Sequence, residues 1–260
     1  MGRLADGVTR LVSAARTVHE EELRYPAAAL AYYGFVSFVP LLLLVFVLLG
    51  ERLAGELGQA VPQFLTPSVQ ELVQRSLTTA SGRTGAGALA ALVLLWSGVN
   101  VVDDVRTVVE RIEGSVGSSL RHWVRDATVI LGALVLAILA VVATTTLLDL
   151  PAAGPLFGLV GFAVLWVVLA VAFVPLYYVP SSVVTSPMGA IPGAVVASFG
   201  WAALQTGIQF YATHAGRYAV YGTLSGVIIL LTSLYIAAAL LLTGIVVNAG
   251  VAAGPDHRRE

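Results

Sequence analysis

The chain is organised around one long uncharged run near its amino terminus. From Ala27 to Leu49 there are 23 consecutive residues without a charge, and about 20 helical residues cross the hydrocarbon core of a bilayer. Arg24 precedes this run and Glu51 follows it. The run is predicted to be a membrane-spanning helix that stays as an anchor, because it is far longer than the apolar core of a cleavable signal peptide.

The composition extends this interpretation to the whole chain. Only 11% of the 260 residues are charged, whereas soluble domains have about 25%, so residues 1–260 are predicted to form a single integral-membrane domain. A formal net charge of −1 argues against a nucleic-acid partner, which would require a basic surface. The chain has no cysteine, which excludes disulfides, thiolate metal ligands and cysteine nucleophiles.

Five further apolar stretches follow the first, so the predicted fold class is an all-α membrane protein, a six-transmembrane-helix bundle with interfacial amphipathic helices. The six predicted spans cover residues 27–49, 85–102, 127–148, 156–174, 188–211 and 222–247. Amphipathic surface helices are predicted at residues 1–25, 51–84 and 103–126, the last of them with a break near Gly114 or Gly117.

Arginine placement predicts the orientation of these spans. Ten arginines fall on the segments that share a side with the two termini, and four fall on the opposite side. Basic residues concentrate on the cytoplasmic side of a membrane. Both termini are therefore predicted to be cytoplasmic.

Polar side chains inside the spans are the candidate site residues. Tyr33 and Ser37 lie one turn apart in the first span, Asn100 lies in the second, and Gln205 and Gln209 lie in the fifth. An amide in hydrocarbon without a partner costs several kcal/mol, so these five residues are predicted to converge on a polar cavity near mid-membrane. The alternative is that they hydrogen-bond other helices directly in a dry bundle.

The fifth span also carries a row of glycines. Gly189, Gly193, Gly200 and Gly207 fall within about 40° of one another on a helical wheel. A smooth face of this kind allows a neighbouring helix to approach closely, and these four positions are predicted to be helix-packing positions.

Candidate catalytic residues are sparse. The four histidines are scattered without metal-ligand spacing. The adjacent carboxylates Asp103 and Asp104 lie beside Arg106 and point to different sides of a helix. Phosphodiester hydrolysis requires a metal or a paired acid and base. We therefore expect no enzyme activity, no metal and no cofactor.

Several motifs in order along the chain resemble the YihY/BrkB family of polytopic inner-membrane proteins. They are the stretches Ala27–Leu44, Leu95–Ile112 and Ile191–Trp201, then Tyr218, Tyr221 and Gly222, and finally Leu234–Tyr235 and Asn248–Ala249. The resemblance implies six spans in a bacterial or archaeal plasma membrane. That family has been labelled both a virulence factor and ribonuclease BN. This chain has Val246 where the family commonly has a glutamate, so no role of that glutamate is carried over.

Two classes of function fit these expectations. The first is a transporter or lipid-handling protein in contact with the bilayer, whose ligand is a lipid or a small molecule. The second is a non-transporting structural or envelope-assembly membrane protein. The first requires an accessible cavity between the helices and the second permits a closed bundle. The sequence assigns neither the substrate nor the oligomeric state.

Overall fold

The computed structural model describes residues 23–49, 80–115, 119–148, 155–214 and 223–252. Within these ranges the chain is helical and contains no strand. The helices are α1 (Arg24–Leu49), α2 (Ala80–Glu113), α3 (Leu120–Leu148), α4 (Pro155–Tyr178), α5 (Pro187–His214) and α6 (Thr223–Ala252). The surface helices predicted at 1–25 and 51–84 lie largely outside the described residues.

Most of these helices are long and apolar enough to cross a membrane. The stretches that meet this condition within the described residues are Gly87–Glu113, Leu120–Thr144, Leu159–Tyr178, Pro187–Tyr211 and Gly226–Ala252. Large apolar side chains such as Leu92, Leu139 and Val171 point outwards and are exposed, which suits a lipid environment better than water. The chain is therefore a multi-pass membrane protein.

Helix α2 is much longer than the span predicted within it. At about 1.5 Å per residue its 34 residues measure about 51 Å, against about 30 Å for a hydrocarbon core. The predicted second span and the amphipathic stretch after it thus form one continuous helix. It ends at Gly114, where φ is 66°, and the Ser115 N–H donates to the Glu110 carbonyl at 3.1 Å. This hydrogen bond is that of a Schellman cap, for which glycine is the preferred residue, and it lies at one of the two predicted break points.

Helix α4 extends beyond the fourth predicted span, residues 156–174. Pro175 lies inside α4, which continues to Tyr178. A proline has no N–H to donate to the carbonyl four residues earlier, and its ring crowds that carbonyl. The helical hydrogen bonding continues after it, since the Val179 N–H donates to the Pro175 carbonyl at 2.9 Å. The last turn is also held by packing, because Leu176 and Tyr177 are buried and the Tyr177 hydroxyl donates to the Leu241 carbonyl at 2.8 Å.

Helices that follow one another along the chain pack as neighbours. Helix α1 packs on α2 and α6, α4 packs on α3 and α5, and α5 packs on α4 and α6. Small residues allow the closest approaches: Ala190, Ala194 and Ala197 of α5 are completely buried. Helix α5 begins at Pro187 because the Ser186 side chain accepts the Gly189 N–H at 3.3 Å, a serine N-cap followed by proline at the first helical position.

Candidate functional site

A charged cleft lies at the end of the bundle where α2 ends, α3 begins and the connection from α4 to α5 crosses over. Its volume is about 180 Å³. Its lining consists of Arg106, Glu110, Ser115, His122, Arg125, Asp126 and residues 180–182. The last turns of α2 and the first turns of α3 therefore supply all its ionisable groups.

A buried ion pair joins α2 to α3 behind this cleft. The Asp126 side chain is only 5% exposed, and its Oδ2 lies 3.4 Å from Arg106 Nε. Its other oxygen, Oδ1, accepts from Arg125 Nη2 at 3.1 Å. Arg125 Nη2 also donates to the Val179 carbonyl at 2.7 Å, which ties α3 to the end of α4. A buried carboxylate costs several kcal/mol of desolvation unless it is paired in this way.

Glu113 holds the α4–α5 connection against the end of α2. Its Oε2 accepts from the Ser182 backbone N–H at 2.6 Å and from the Ser182 hydroxyl at 2.7 Å. Its Oε1 accepts from the Ser181 hydroxyl, and the Ser181 oxygen in turn accepts the Val184 N–H at 3.0 Å. Carboxylate hydrogen bonds are among the strong ones, so this wall of the cleft is fixed in place.

Other polar atoms on the lining are unused. Within the described residues, Arg125 Nη1, His122 Nε2 and Glu110 Oε2 have no hydrogen-bond partner. Arg125 is 54% exposed and Glu110 is 35% exposed. The cleft thus presents donors and an acceptor that the fold itself does not use, and that water or a ligand can engage.

Exposed apolar side chains occur on the elements that carry the charged lining. Leu120 and Val124 on α3 and Val183 and Met188 near the start of α5 are all exposed. The helix ends that form the cleft therefore also carry exposed apolar side chains. The ends of membrane-spanning helices lie at the boundary between headgroups and acyl chains.

The structure brings three of the five predicted cavity residues together between α1 and α2. The Tyr33 hydroxyl donates to Asn100 Oδ1 at 3.2 Å. Ser37 Oγ and Ser97 Oγ lie 2.5 Å apart in a hydrogen bond, and Ser97 is buried. Trp96 packs edge-on against the Tyr33 ring, with centroids 5.5 Å apart. We call this set of contacts the α1–α2 seam.

The two glutamines lie elsewhere. Gln205 is half-buried and Gln209 is exposed on α5, a helix that packs on α4 and α6 rather than on α1. Among the described residues neither amide has a hydrogen-bond partner, in the seam or outside it. The convergence of all five residues on one cavity therefore stays a prediction.

The four glycines of α5 have different surroundings. A Cβ on Gly193 would lie 2.5 Å from Asn248 Nδ2, and one on Gly200 would lie 2.5 Å from Leu240 Cδ2; both positions face α6. A Cβ on Gly189 would meet Val184 of the preceding connection at 3.3 Å. At Gly207, no described atom lies within 4 Å of that position.

Gly193 also belongs to a polar contact that the sequence reasoning missed. Its N–H donates to Asn248 Oδ1 at 2.7 Å, and Asn248 Nδ2 donates to the Ala190 carbonyl at 3.2 Å. Asn248 thereby satisfies its amide on the α5 backbone next to Pro192, which lies inside that helix. A signal was present in the sequence, because Asn248 is an amide inside a long apolar helix.

The sequence reasoning also missed the cleft residues. Arg106 was considered only as the neighbour of Asp103, and Glu110, Glu113 and Asp126 were treated as parts of a surface segment. Asp126 directly precedes the long uncharged stretch from Ala127. An ionisable residue at the edge of such a stretch is a functional-site signal in a membrane protein, and it could have identified Asp126.

Comparison with known proteins identifies the family of this chain. The family model for virulence factor BrkB matches residues 14–260. The ribonuclease-like protein YfkH of Bacillus subtilis (strain 168) is 26% identical, over 90% of each chain. An uncharacterized protein of Dickeya dadantii (strain 3937) is 29% identical over 90 residues, 32% of this chain and 27% of that protein. No solved structure gives a significant match. Because the family model covers nearly the whole sequence, this chain belongs to the virulence factor BrkB family.

Proposed function

We propose that this protein is a six-span plasma-membrane protein, with both termini in the cytoplasm, that binds a lipid or a small solute in the charged cleft and moves it. The observation that carries the proposal is the set of unused polar atoms in a cleft of about 180 Å³ at the ends of apolar helices. In the proposed orientation this cleft opens on the cytoplasmic side, where arginines concentrate.

The hydrogen bonding within the cleft favours ligand binding over a purely structural role. Asp126 and Glu113 have partners on both carboxylate oxygens, and these bonds hold α2, α3 and the α4–α5 connection together. Arg125 and Glu110 also reach solvent and carry polar atoms outside this network, which a ligand can engage.

A second candidate is the non-transporting structural or envelope-assembly protein. The α1–α2 seam and the Asn248 contact favour it, because their polar groups bond directly to one another and to backbone. In this alternative the cleft is a hydrated surface feature, and no ligand passes between the helices.

The proposal includes no catalytic step. The Asp103 carboxylate accepts from the Trp123 indole at 2.7 Å, and Asp126 is held by two arginines. These acidic groups have structural partners rather than the position of a free general base. The word ribonuclease in the name of the Bacillus relative describes that protein.

Cysteine labelling tests the topology directly, since the chain contains no cysteine of its own. A membrane-impermeant maleimide is expected to label Ser81→Cys in intact cells and Ser119→Cys only after the membrane has been permeabilised. Labelling of both positions from the same side would contradict the six-span topology.

Reconstitution into vesicles tests the function. A membrane-impermeant reductant added outside the vesicles bleaches a phospholipid with a fluorescent tail only in the outer leaflet. A protein that moves lipid between the leaflets therefore raises the bleached fraction above that of protein-free vesicles. Attachment of a bulky maleimide to Ser115→Cys, on the cleft lining, is expected to abolish the increase. The same label on Thr107→Cys is the matched control, because Thr107 is exposed on α2 outside the cleft.

The vesicle experiment also separates the two candidates. Protection of Ser115→Cys from labelling by a lipid or by a small charged solute supports a ligand site. Lipid movement equal to that of protein-free vesicles, together with no protection by either ligand class, would favour the structural protein.

A further inference from the structure

We propose that the cleft recognises a phosphate-bearing zwitterionic headgroup with a primary amine, of the phosphoethanolamine type, on a membrane phospholipid. Arg125 and His122 would bind the phosphate and Glu110 the amine. This inference rests on the proposed function and specifies its ligand.

Arg125 has the geometry of a phosphate ligand. Its Nε and Nη2 are engaged by Asp126 and the Val179 carbonyl, so its guanidinium is held in a fixed position while Nη1 stays available. The two N–H groups of Nη1 can donate charge-assisted hydrogen bonds to phosphate oxygens. His122 lies one turn earlier on α3, where Nδ1 is 2.8 Å from Ser119 Oγ and Nε2 is left as the second donor or acceptor on the lining.

Glu110 supplies the opposite charge. Its Oε1 lies 3.3 Å from Arg106 Nη2, and Oε2 is left for a cationic group. Asp126 does not compete for the ligand, since both its oxygens are engaged and its side chain is 5% exposed. An ammonium group with N–H donors fits the Glu110 carboxylate better than a quaternary amine, which has no N–H to donate.

The charge balance favours a zwitterion. Two arginines and two carboxylates line the cleft, so their formal charges cancel. A net anion would gain from an excess of positive groups, as in arginine clusters that bind phosphate alone. Here a ligand with a phosphate and an amine finds a partner for each charge.

The size and the surroundings favour a lipid source. The volume of about 180 Å³ is below the roughly 300–1,000 Å³ of pockets that enclose drug-sized molecules, so a headgroup fits and acyl chains do not. The cleft lies at the ends of helices that are apolar enough to cross a membrane, which is the level of the lipid headgroups.

The test is a competition experiment on the full-length protein in phosphatidylcholine nanodiscs. A fluorescent-tailed phosphatidylethanolamine is displaced by unlabelled phosphatidylethanolamine, by phosphatidylglycerol or by soluble phosphoethanolamine. We expect Arg125→Gln to weaken binding of the fluorescent lipid about tenfold, the size of one charge-assisted hydrogen bond. Glu110→Gln should remove the preference for phosphatidylethanolamine over phosphatidylglycerol. Arg121→Gln, an exposed position one turn before Arg125 and outside the lining, is the matched control.

Each other outcome overturns a defined part of the proposal. If phosphatidylglycerol displaces the fluorescent lipid from the unmodified protein as well as phosphatidylethanolamine does, the cleft does not select a zwitterionic headgroup. If soluble phosphoethanolamine is as potent as the lipid, the ligand does not come from the membrane. If the Arg125→Gln variant folds and binds the fluorescent lipid as the unmodified protein does, the cleft is not the binding site. If that variant does not fold, His122→Ala decides, because His122 is exposed and its hydrogen bond within the described residues is to Ser119. Lipid movement without headgroup selectivity would overturn this inference and leave the proposed function standing.

Discussion

The α1–α2 seam and the charged cleft both contain several polar side chains, but the two regions differ in how many of the polar atoms have hydrogen-bond partners within the protein. In the seam, Asn100 accepts from Tyr33 and donates to the Trp96 carbonyl at 2.7 Å, and Ser37 is bonded to Ser97 and to the Tyr33 carbonyl. In the cleft, Arg125 and Glu110 keep atoms without partners among the described residues.

The difference follows from where each region lies along the helices. The seam is formed inside the uncharged run of α1, where no water replaces a lost partner, so its groups must satisfy one another. The cleft is formed at helix ends, where water or a headgroup can occupy unused donors. Polar residues inside a span therefore indicate a helix contact as readily as a binding site.

The largest expected effect is at the buried carboxylate of the cleft. Asp126→Asn removes the charge that Arg106 and Arg125 share, and breaking a buried ion pair costs about 3–5 kcal/mol. The free energy of unfolding in detergent should fall by that amount. Asp103→Asn is the matched control with an expected loss below about 1 kcal/mol, since Asp103 is exposed and keeps an oxygen for the Trp123 indole. Equal losses for both variants would mean that Asp126 is not a buried structural charge.

The second-largest effect is expected where α5 packs closely on α6, away from the cleft. Gly200→Leu forces a side chain into Leu240, and overpacking costs about 1–3 kcal/mol. Gly207→Leu is the matched control on the same helix, because its Cβ position is open within the described residues. Thermal unfolding in detergent compares the two. A Gly200→Leu melting curve like that of the unmodified protein would contradict close packing of α5 on α6.

A smaller effect is expected in the seam. Hydrogen bonds between membrane helices contribute about 0.6 kcal/mol on average, so Tyr33→Phe and Asn100→Leu should each destabilise modestly. A double-mutant cycle isolates their coupling energy, which should be of that size. A coupling energy of zero would show that the Tyr33–Asn100 bond is not a stabilising contact, and that the seam resembles the cleft more than the structure indicates.

The helices could be predicted from the sequence because the length of an uncharged run is a local property. The runs from Ala27 and from Ala127 each specify a span without reference to the rest of the chain. The end of α4 was missed for a non-local reason. Tyr177 buries its ring and bonds to Leu241, 64 residues away, and that contact holds the turn that Pro175 would otherwise end.

The cleft could not be predicted, because its frame consists of pairs that are distant in sequence. Glu113 and Ser182 are 69 residues apart, and Arg106 meets Asp126 only when the end of α2 and the start of α3 come together. Depth in an apolar run selected Tyr33, Ser37 and Asn100, which lie between α1 and α2. The same criterion grouped Gln205 with them, although helix order places α5 beside α4 and α6.

The smallest effect on stability is expected at those glutamines, and it decides whether α5 resembles the seam or the cleft. Gln205→Leu and Gln209→Leu remove amides without a partner among the described residues, so the free energy of unfolding should change by less than about 0.5 kcal/mol. Lipid movement in vesicles is the second measurement. Loss of lipid movement in a variant of unchanged stability would place α5 on the path of the ligand. The amide would then be required for contact with the moving ligand and not for stability. Lost stability would show that the amides bond other helices as those of the seam do. If neither quantity changes, both interpretations of the glutamines are wrong, and the ligand path must be sought from the cleft along α2 and α3 alone.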